Sequence, residues 1–282
     1  MPPKKRPVKK KPAIKKSTRK PSIGHNIFLY GKAGVGKTSL AGRFPRPLFL
    51  RSPDDRGCTV LALKGLIPQP IDVVMCDCWE ILSGQYGQIT GQHPVMRTIP
   101  GITTRYDFDT LIIDSLTGFE RMCFEYVTLK DFRGKETEFD KGFYSYGQGP
   151  IKTAAREWPQ FLLSLSEIVE LGKTVVVIGH RTKVSVEYPG QPRFDRWQPL
   201  LNKHIWERTQ AWSEAIFYME DAFDIVKEPG SLQSKAAADM KGKLLYTQET
   251  PRFDSKNQLA MPSVINLGTS ADQAWLELKK WL

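Results

Sequence analysis

From residue 22 onward, short apolar runs alternate with stretches whose apolar residues recur at helical spacing. Residues 27–30, 47–51, 71–75, 109–115, 174–178, 214–219 and 243–247 read as strands, and the more uniformly apolar of them suit strands buried on both faces. Helical segments are expected at 37–43, 79–82, 116–128, 206–213 and 272–282. Pro150 fits the first turn of another helix, and Pro159 starts a second segment or kinks that one. Phe161, Leu162, Leu165, Ile168 and Val169 then recur as a core-facing stripe ended by Gly172. Residues 84–106 read as loop or irregular hairpin, 129–149 as a polar, glycine-rich stretch studded with aromatics, and 256–262 as a turn. Strands alternating with helices predict an α/β fold around a mostly parallel sheet flanked by helices.

Composition narrows the picture. The 282 residues are 40% hydrophobic and 11% aromatic, enough for a real core. No apolar run approaches the roughly 20 residues of a membrane span, and the basic start lacks the apolar stretch of a secretory signal. Cys58, Cys76, Cys78 and Cys123 suit free thiols in a reducing, cytoplasmic setting. A zinc site from Cys58, Cys76, Cys78 and His93 is the weaker alternative, because C-x-C lacks a second matched pair.

The net charge of +11 is localised. Residues 1–21 carry ten lysines and arginines and no acid, leaving 31 basic against 30 acidic residues elsewhere. Such a segment cannot bury enough surface to offset its ordering entropy, so 1–21 reads as a disordered basic tail ahead of one domain, 22–282. The tail could hold nucleic acid through sequence-blind phosphate contacts, act as a nuclear-localisation-like address, or simply solubilise the chain.

The chemistry concentrates between the first strand and first helix. Gly31, Lys32, Ala33, Gly34, Val35, Gly36, Lys37 and Thr38 fit G-x-x-x-x-G-K-[ST], with Ser39 following. The glycines let successive N–H groups turn inward to cradle phosphate oxygens, and the helix that follows adds its positive end. Lys37 reaches the β- and γ-phosphates, and the Thr38 hydroxyl ligates Mg²⁺. The run 109–115 sets its strand beside the phosphate-loop strand and presents Asp114 to the same metal. The strand 174–178 leads to His180 at the ligand-binding edge, as a γ-phosphate sensor or as a plain surface histidine. Residues 181–203 read as a long loop in which Arg181, Lys183, Arg193, Arg196 and Lys203 interleave with Tyr188, Phe194 and Trp197. That pattern suits single-stranded nucleic acid, or a solvated hairpin.

Gly-Lys-Ala-Gly-Val-Gly-Lys-Thr, Leu-Ile-Ile-Asp-Ser-Leu-Thr and Val-Val-Val-Ile-Gly-His, in that order, resemble the RecA-like P-loop ATPases. More narrowly they are similar to the phage AAA-type group that includes RecA-like single-strand annealing recombinases. The resemblance implies ATP and Mg²⁺ at the sheet's carboxyl edge, single-stranded DNA as partner, and a ring or filament of identical subunits. It also implies a catalytic acid after the second strand, where Asp54 or Asp55 replaces the usual glutamate, with Asp55 the choice. Lys256-Asn257-Gln258-Leu259-Ala260 resembles a motif that acts on a neighbouring subunit's ATP, making Lys256 a finger in trans, although Gln258 replaces an expected arginine. The rival functions are a helicase loader or DNA motor, a nucleotide-gated binding module with little hydrolysis, and a small-molecule kinase.

Overall fold

The computed structural model describes residues 23–67, 71–82, 93–187, 189–190, 192–222, 225–227, 234–236 and 241–282. The tail 1–21 and Tyr188 therefore lie outside the described residues.

The chain runs β1 (Asn26–Gly31), α1 (Lys37–Ala41), β2 (Pro47–Arg51), α2 (Gly57–Leu63), β3 (Asp72–Met75), α3 (Val95–Arg105), β4 (Thr110–Asp114) and α4 (Leu116–Phe132). It continues with α5 (Gln148–Ala155), α6 (Glu157–Glu170), β5 (Thr174–Val186), β6 (Phe194–Pro199), α7 (Lys203–Trp212) and β7 (Ala215–Asp221). A separate ribbon of β8 (Ile225–Lys227) and β9 (Ser234–Ala236) precedes β10 (Lys243–Tyr246), β11 (Lys256–Asn257), β12 (Val264–Gly268) and α8 (Ala271–Leu278).

The main sheet has the order β12-β10-β7-β1-β5-β4-β2-β3, with β11 added to β7 and β6 to β5. Strands β7 through β3 in that order are parallel, while β10 and β12 run antiparallel at one end. Alternation within the strands builds two cores. Leu111 and Ile113 of β4, with Val175 and Val177 of β5, face α3–α7; Ile112, Val176 and Ile178 face α1, α2 and α8. Among the described residues no helix is long and apolar enough to cross a membrane.

Several expectations needed correction. β5 lies between β1 and β4, so the Asp114 strand is not beside the phosphate-loop strand. Part of the expected loop 84–106 is the helix α3, which buries Val95, Thr98, Ile99 and Ile102 on one stripe despite Pro100 inside it. The breakers Pro100 and Gly101 hid that periodicity, and tertiary packing overrode them. The short helix expected at 79–82 is absent. Trp79 instead packs flat on Trp158 at 5.8 Å, and its carbonyl accepts from the N–H of Met96 in α3. Finally, 181–203 follows the hairpin alternative rather than a long loop, because β5 runs on past the sheet edge and pairs with β6 from Arg181↔Pro199 to Val186↔Phe194.

Candidate nucleotide site

The phosphate loop leaves β1 at the carboxyl edge of the parallel sheet, where Gly31 is level with His180 of β5 and Met219 of β7. A side chain at Gly31 would come 2.2 Å from the Met219 carbonyl oxygen, so only glycine passes here. Gly34 (φ 77°) and Gly36 (φ 103°) take left-handed backbone that curls the loop around open space. α1 spans only five residues, so the field at a phosphate comes mainly from local N–H groups rather than from a long helix dipole.

Lys37 is buried, and its Nζ donates to the carbonyls of Gly31 (3.1 Å) and Lys32 (2.9 Å). Burial pulls its pKa down to about 8, against the attraction of Asp114 and Asp55. Thr38 Oγ1 donates to Asp114 Oδ2 at 2.9 Å. Burial, and then the Asp55 charge, push the Asp114 carboxyl up to about 7. His180 is half-buried; burial and the Lys37 charge lower its pKa below the ordinary value, favouring neutral imidazole.

The turn after β2 separates the two acids that sequence reasoning left as alternatives. Asp54 points outward and pairs with Arg121 of α4. Asp55 faces inward, and its Oδ1 accepts from the Gly57 N–H at 3.2 Å. Asp55, Asp114, His180, Lys37 and Thr38 line one cavity of about 460 Å³ together with Gly34 and Gly36. A smaller cavity of about 300 Å³ lies on the far side of Asp55 and His180, against Ser52, Thr117 and Arg121.

Lys256 is not brought to this site. It pairs with Ile216 near the start of β7, whereas Met219 of β7 is level with the phosphate loop. Its Nζ donates to the carbonyls of Gln210 (3.2 Å) and Ala211 (3.4 Å), the open carboxyl end of α7. The hairpin residues are largely satisfied within the chain as well. Arg181 lies 3.9 Å over the Trp197 ring and pairs with Glu220, Lys183 pairs with Asp195 at 2.8 Å, and Arg193 donates to Ser185. Arg196 is buried against Asp254 and Glu249.

Two cations near the loop were not singled out from sequence. Arg56 lines the main cavity. Lys243 of β10 places its Cε 3.4 Å from where a Gly36 side chain would start, and its Nζ bonds Asp221 at 3.0 Å. Arg56 carried a signal, adjacency to Asp55; Lys243 carried none, because strand order alone brings it there.

The hydroxyl of Thr38 and the carboxylate of Asp114 are hard oxygen donors of the kind Mg²⁺ takes beside nucleotide phosphates. Among the described residues no cluster of three or more His, Cys, Asp or Glu could hold a metal, so the zinc arrangement is not formed. The four cysteines are free and buried, and burial pushes the Cys76 thiol up to about 12.

Among solved structures, the chain is similar to the flagellar accessory protein FlaH from Methanocaldococcus jannaschii, with 11% identity, coverage of 88% of this chain and 86% of that one, and TM-score 0.40. It is also similar to a KaiC-like protein from Pyrococcus horikoshii, with 11% identity, coverage of 87% of each chain and TM-score 0.39. The ATPase from a type III secretion system of pathogenic bacteria matches at 17% identity over 70% of this chain and 52% of that one, with TM-score 0.36. No curated protein matches significantly in sequence. The architecture itself is a mostly parallel sheet flanked by helices, with the phosphate loop leaving β1 at its carboxyl edge. The AAA-domain sequence profile matches residues 23–259, and the chain belongs to that family.

Proposed function

We propose that this protein binds ATP with Mg²⁺, hydrolyses it, and uses the cycle to act on single-stranded DNA as an assembly of identical subunits. The observation that carries the reading is the convergence of Lys37, Thr38, Asp114, Asp55 and His180 on one cavity at the sheet's carboxyl edge.

In this reading Lys37 exchanges the Gly31 and Lys32 carbonyls for the β- and γ-phosphates, and the polyanion restores its full charge. Thr38 and Asp114 hold Mg²⁺, which when bound neutralises charge developing on the phosphates. Asp55 takes the proton of the attacking water, and neutral His180 orients that water or the γ-phosphate. The DNA reading is supported by the ten cations of residues 1–21. Lys183 and Arg193 on the exposed face of the hairpin are the further candidates.

One observation favours a slower enzyme, a nucleotide-gated binding module. Asp55 is shorter than glutamate, and one of its oxygens already accepts from Gly57. Turnover of ATP with and without single-stranded DNA, at two salt concentrations, separates the readings. Salt-sensitive stimulation by DNA supports the ATPase; tight ATP binding with negligible turnover on DNA supports the module.

A further inference from the structure

Arg56 has the position and the freedom of a phosphate-contacting group. It follows Asp55 directly and shares the cavity with Lys37, Thr38 and Asp114. The next residue shows how near the backbone runs to the metal ligands. A side chain started at Gly57 would lie 3.3 Å from Asp55 Oδ1 and 3.8 Å from Thr38 Oγ1. The turn itself is braced. Arg51 Nη1 donates to the carbonyls of Ser52 (3.0 Å), Pro53 (3.4 Å) and Asp55 (3.3 Å), and the Gly57 N–H closes on Asp55. Position is therefore fixed at the backbone, while among the described residues the guanidinium has no partner. Arg56 is exposed and, among the described residues, enters no side-chain hydrogen bond or ion pair, unlike Arg121, Arg181 and Arg196. An arginine left unpaired at the rim of a cavity built for polyanions matches the planar donor fork that phosphate recognition uses.

We propose that Arg56 is a catalytic arginine supplied in cis, whose guanidinium contacts the γ-phosphate of the nucleotide held by the same chain. The proposal rests on the ATPase reading above and gives it the cation that Lys256, on the opposite sheet edge, does not supply within the chain. In the step it serves, a water oxygen bonds to the γ-phosphorus and its proton passes to the Asp55 carboxylate. The bond from phosphorus to the β–γ bridging oxygen breaks, and ADP leaves with the electron pair. Arg56 moves no proton; its charge offsets that of the equatorial oxygens as the bond breaks.

The test compares Arg56→Ala and Arg56→Lys with wild type in single-turnover ATP hydrolysis and in equilibrium binding of ADP and a non-hydrolysable ATP analogue. Arg56→Ala is expected to slow hydrolysis by roughly 100-fold or more. It should lower affinity for the analogue while leaving ADP affinity within about threefold, and Arg56→Lys should restore little of the rate. Mixing Arg56→Ala with Lys37→Ala subunits decides cis against trans. A cis arginine leaves the mixture inactive, whereas recovered turnover shows that Arg56 serves a neighbour and overturns the proposal. Unchanged hydrolysis and analogue affinity in Arg56→Ala, with turnover still abolished by Lys37→Ala, overturn Arg56 alone and leave the ATPase standing. A wild type that does not hydrolyse ATP overturns both the ATPase reading and the catalytic role.

Discussion

Thr38 and Asp114 lie 76 positions apart in the chain, yet their side chains meet at 2.9 Å across the tips of α1 and β4. The bond joins the two oxygens proposed for Mg²⁺ and holds them side by side. Asp114→Asn keeps the hydrogen bond and removes the buried charge. It should leave thermal stability equal or higher while cutting Mg²⁺-dependent turnover by about 100-fold, checked by melting curves and steady-state kinetics.

Glu120 of α4 sets a pH dependence away from the site. Burial pushes its carboxyl up to about 7, while the Asn202 N–H donates to it at 2.7 Å and opposes the shift. The folded chain thus binds this proton more tightly than the unfolded chain. Stability from this group is present below the ordinary glutamate range and is lost as pH rises towards about 7. Glu120→Gln should remove that slope and raise stability at pH 8 by up to about 3 kcal/mol, read by denaturant titration at pH 5 and pH 8.

Arg196 and Arg193 should behave oppositely although they share one hairpin strand region. Arg196 is buried against Asp254, which also accepts from Trp206 Nε1 at 3.1 Å. Arg196→Ala should cost about 3–5 kcal/mol, because it strands a buried carboxylate. Arg193 bonds the Ser185 hydroxyl on the surface, and Arg193→Ala should cost less than about 1 kcal/mol. A tenfold loss of DNA affinity in Arg193→Ala, with ATP affinity unchanged, would place the nucleic acid on the hairpin face.

Gly31→Ala meets backbone rather than a side chain that could turn away, with 2.2 Å to the Met219 carbonyl oxygen. It should destabilise the fold by about 1–3 kcal/mol and weaken ATP binding, measured by calorimetry on the folded fraction.

Lys256→Met should cost only about 0.3–1 kcal/mol, the worth of a cation at a helix carboxyl end. Turnover should hold in dilute protein. A large loss of turnover confined to concentrated, assembled protein would assign Lys256 to a neighbour's site.

What was legible in the sequence was local. Gly31 to Thr38 carries its turn in its own glycines, and the apolar run before Asp114 carries its strand. Asp55 and His180 were reachable because each follows a readable strand. The helix containing Pro100 was hidden because packing of Ile99 and Ile102 outweighed its breakers. The hairpin within 181–203 was legible as one of two alternatives, but its packing was not, because its cations and rings look solvent-bound in sequence while Arg181 covers Trp197 and Arg196 is buried in the structure. β5 between β1 and β4, and Lys243 against Gly36, depend on strand order, which no local window contains.

The most direct test of the central claim is ATP binding and turnover with Mg²⁺ by wild type and Lys37→Ala, each confirmed folded by its melting curve. The account predicts Mg²⁺-dependent binding and turnover in wild type, both lost in Lys37→Ala at unchanged or higher stability. Equal binding and turnover in the two proteins would contradict a nucleotide site built on Lys37, Thr38 and Asp114.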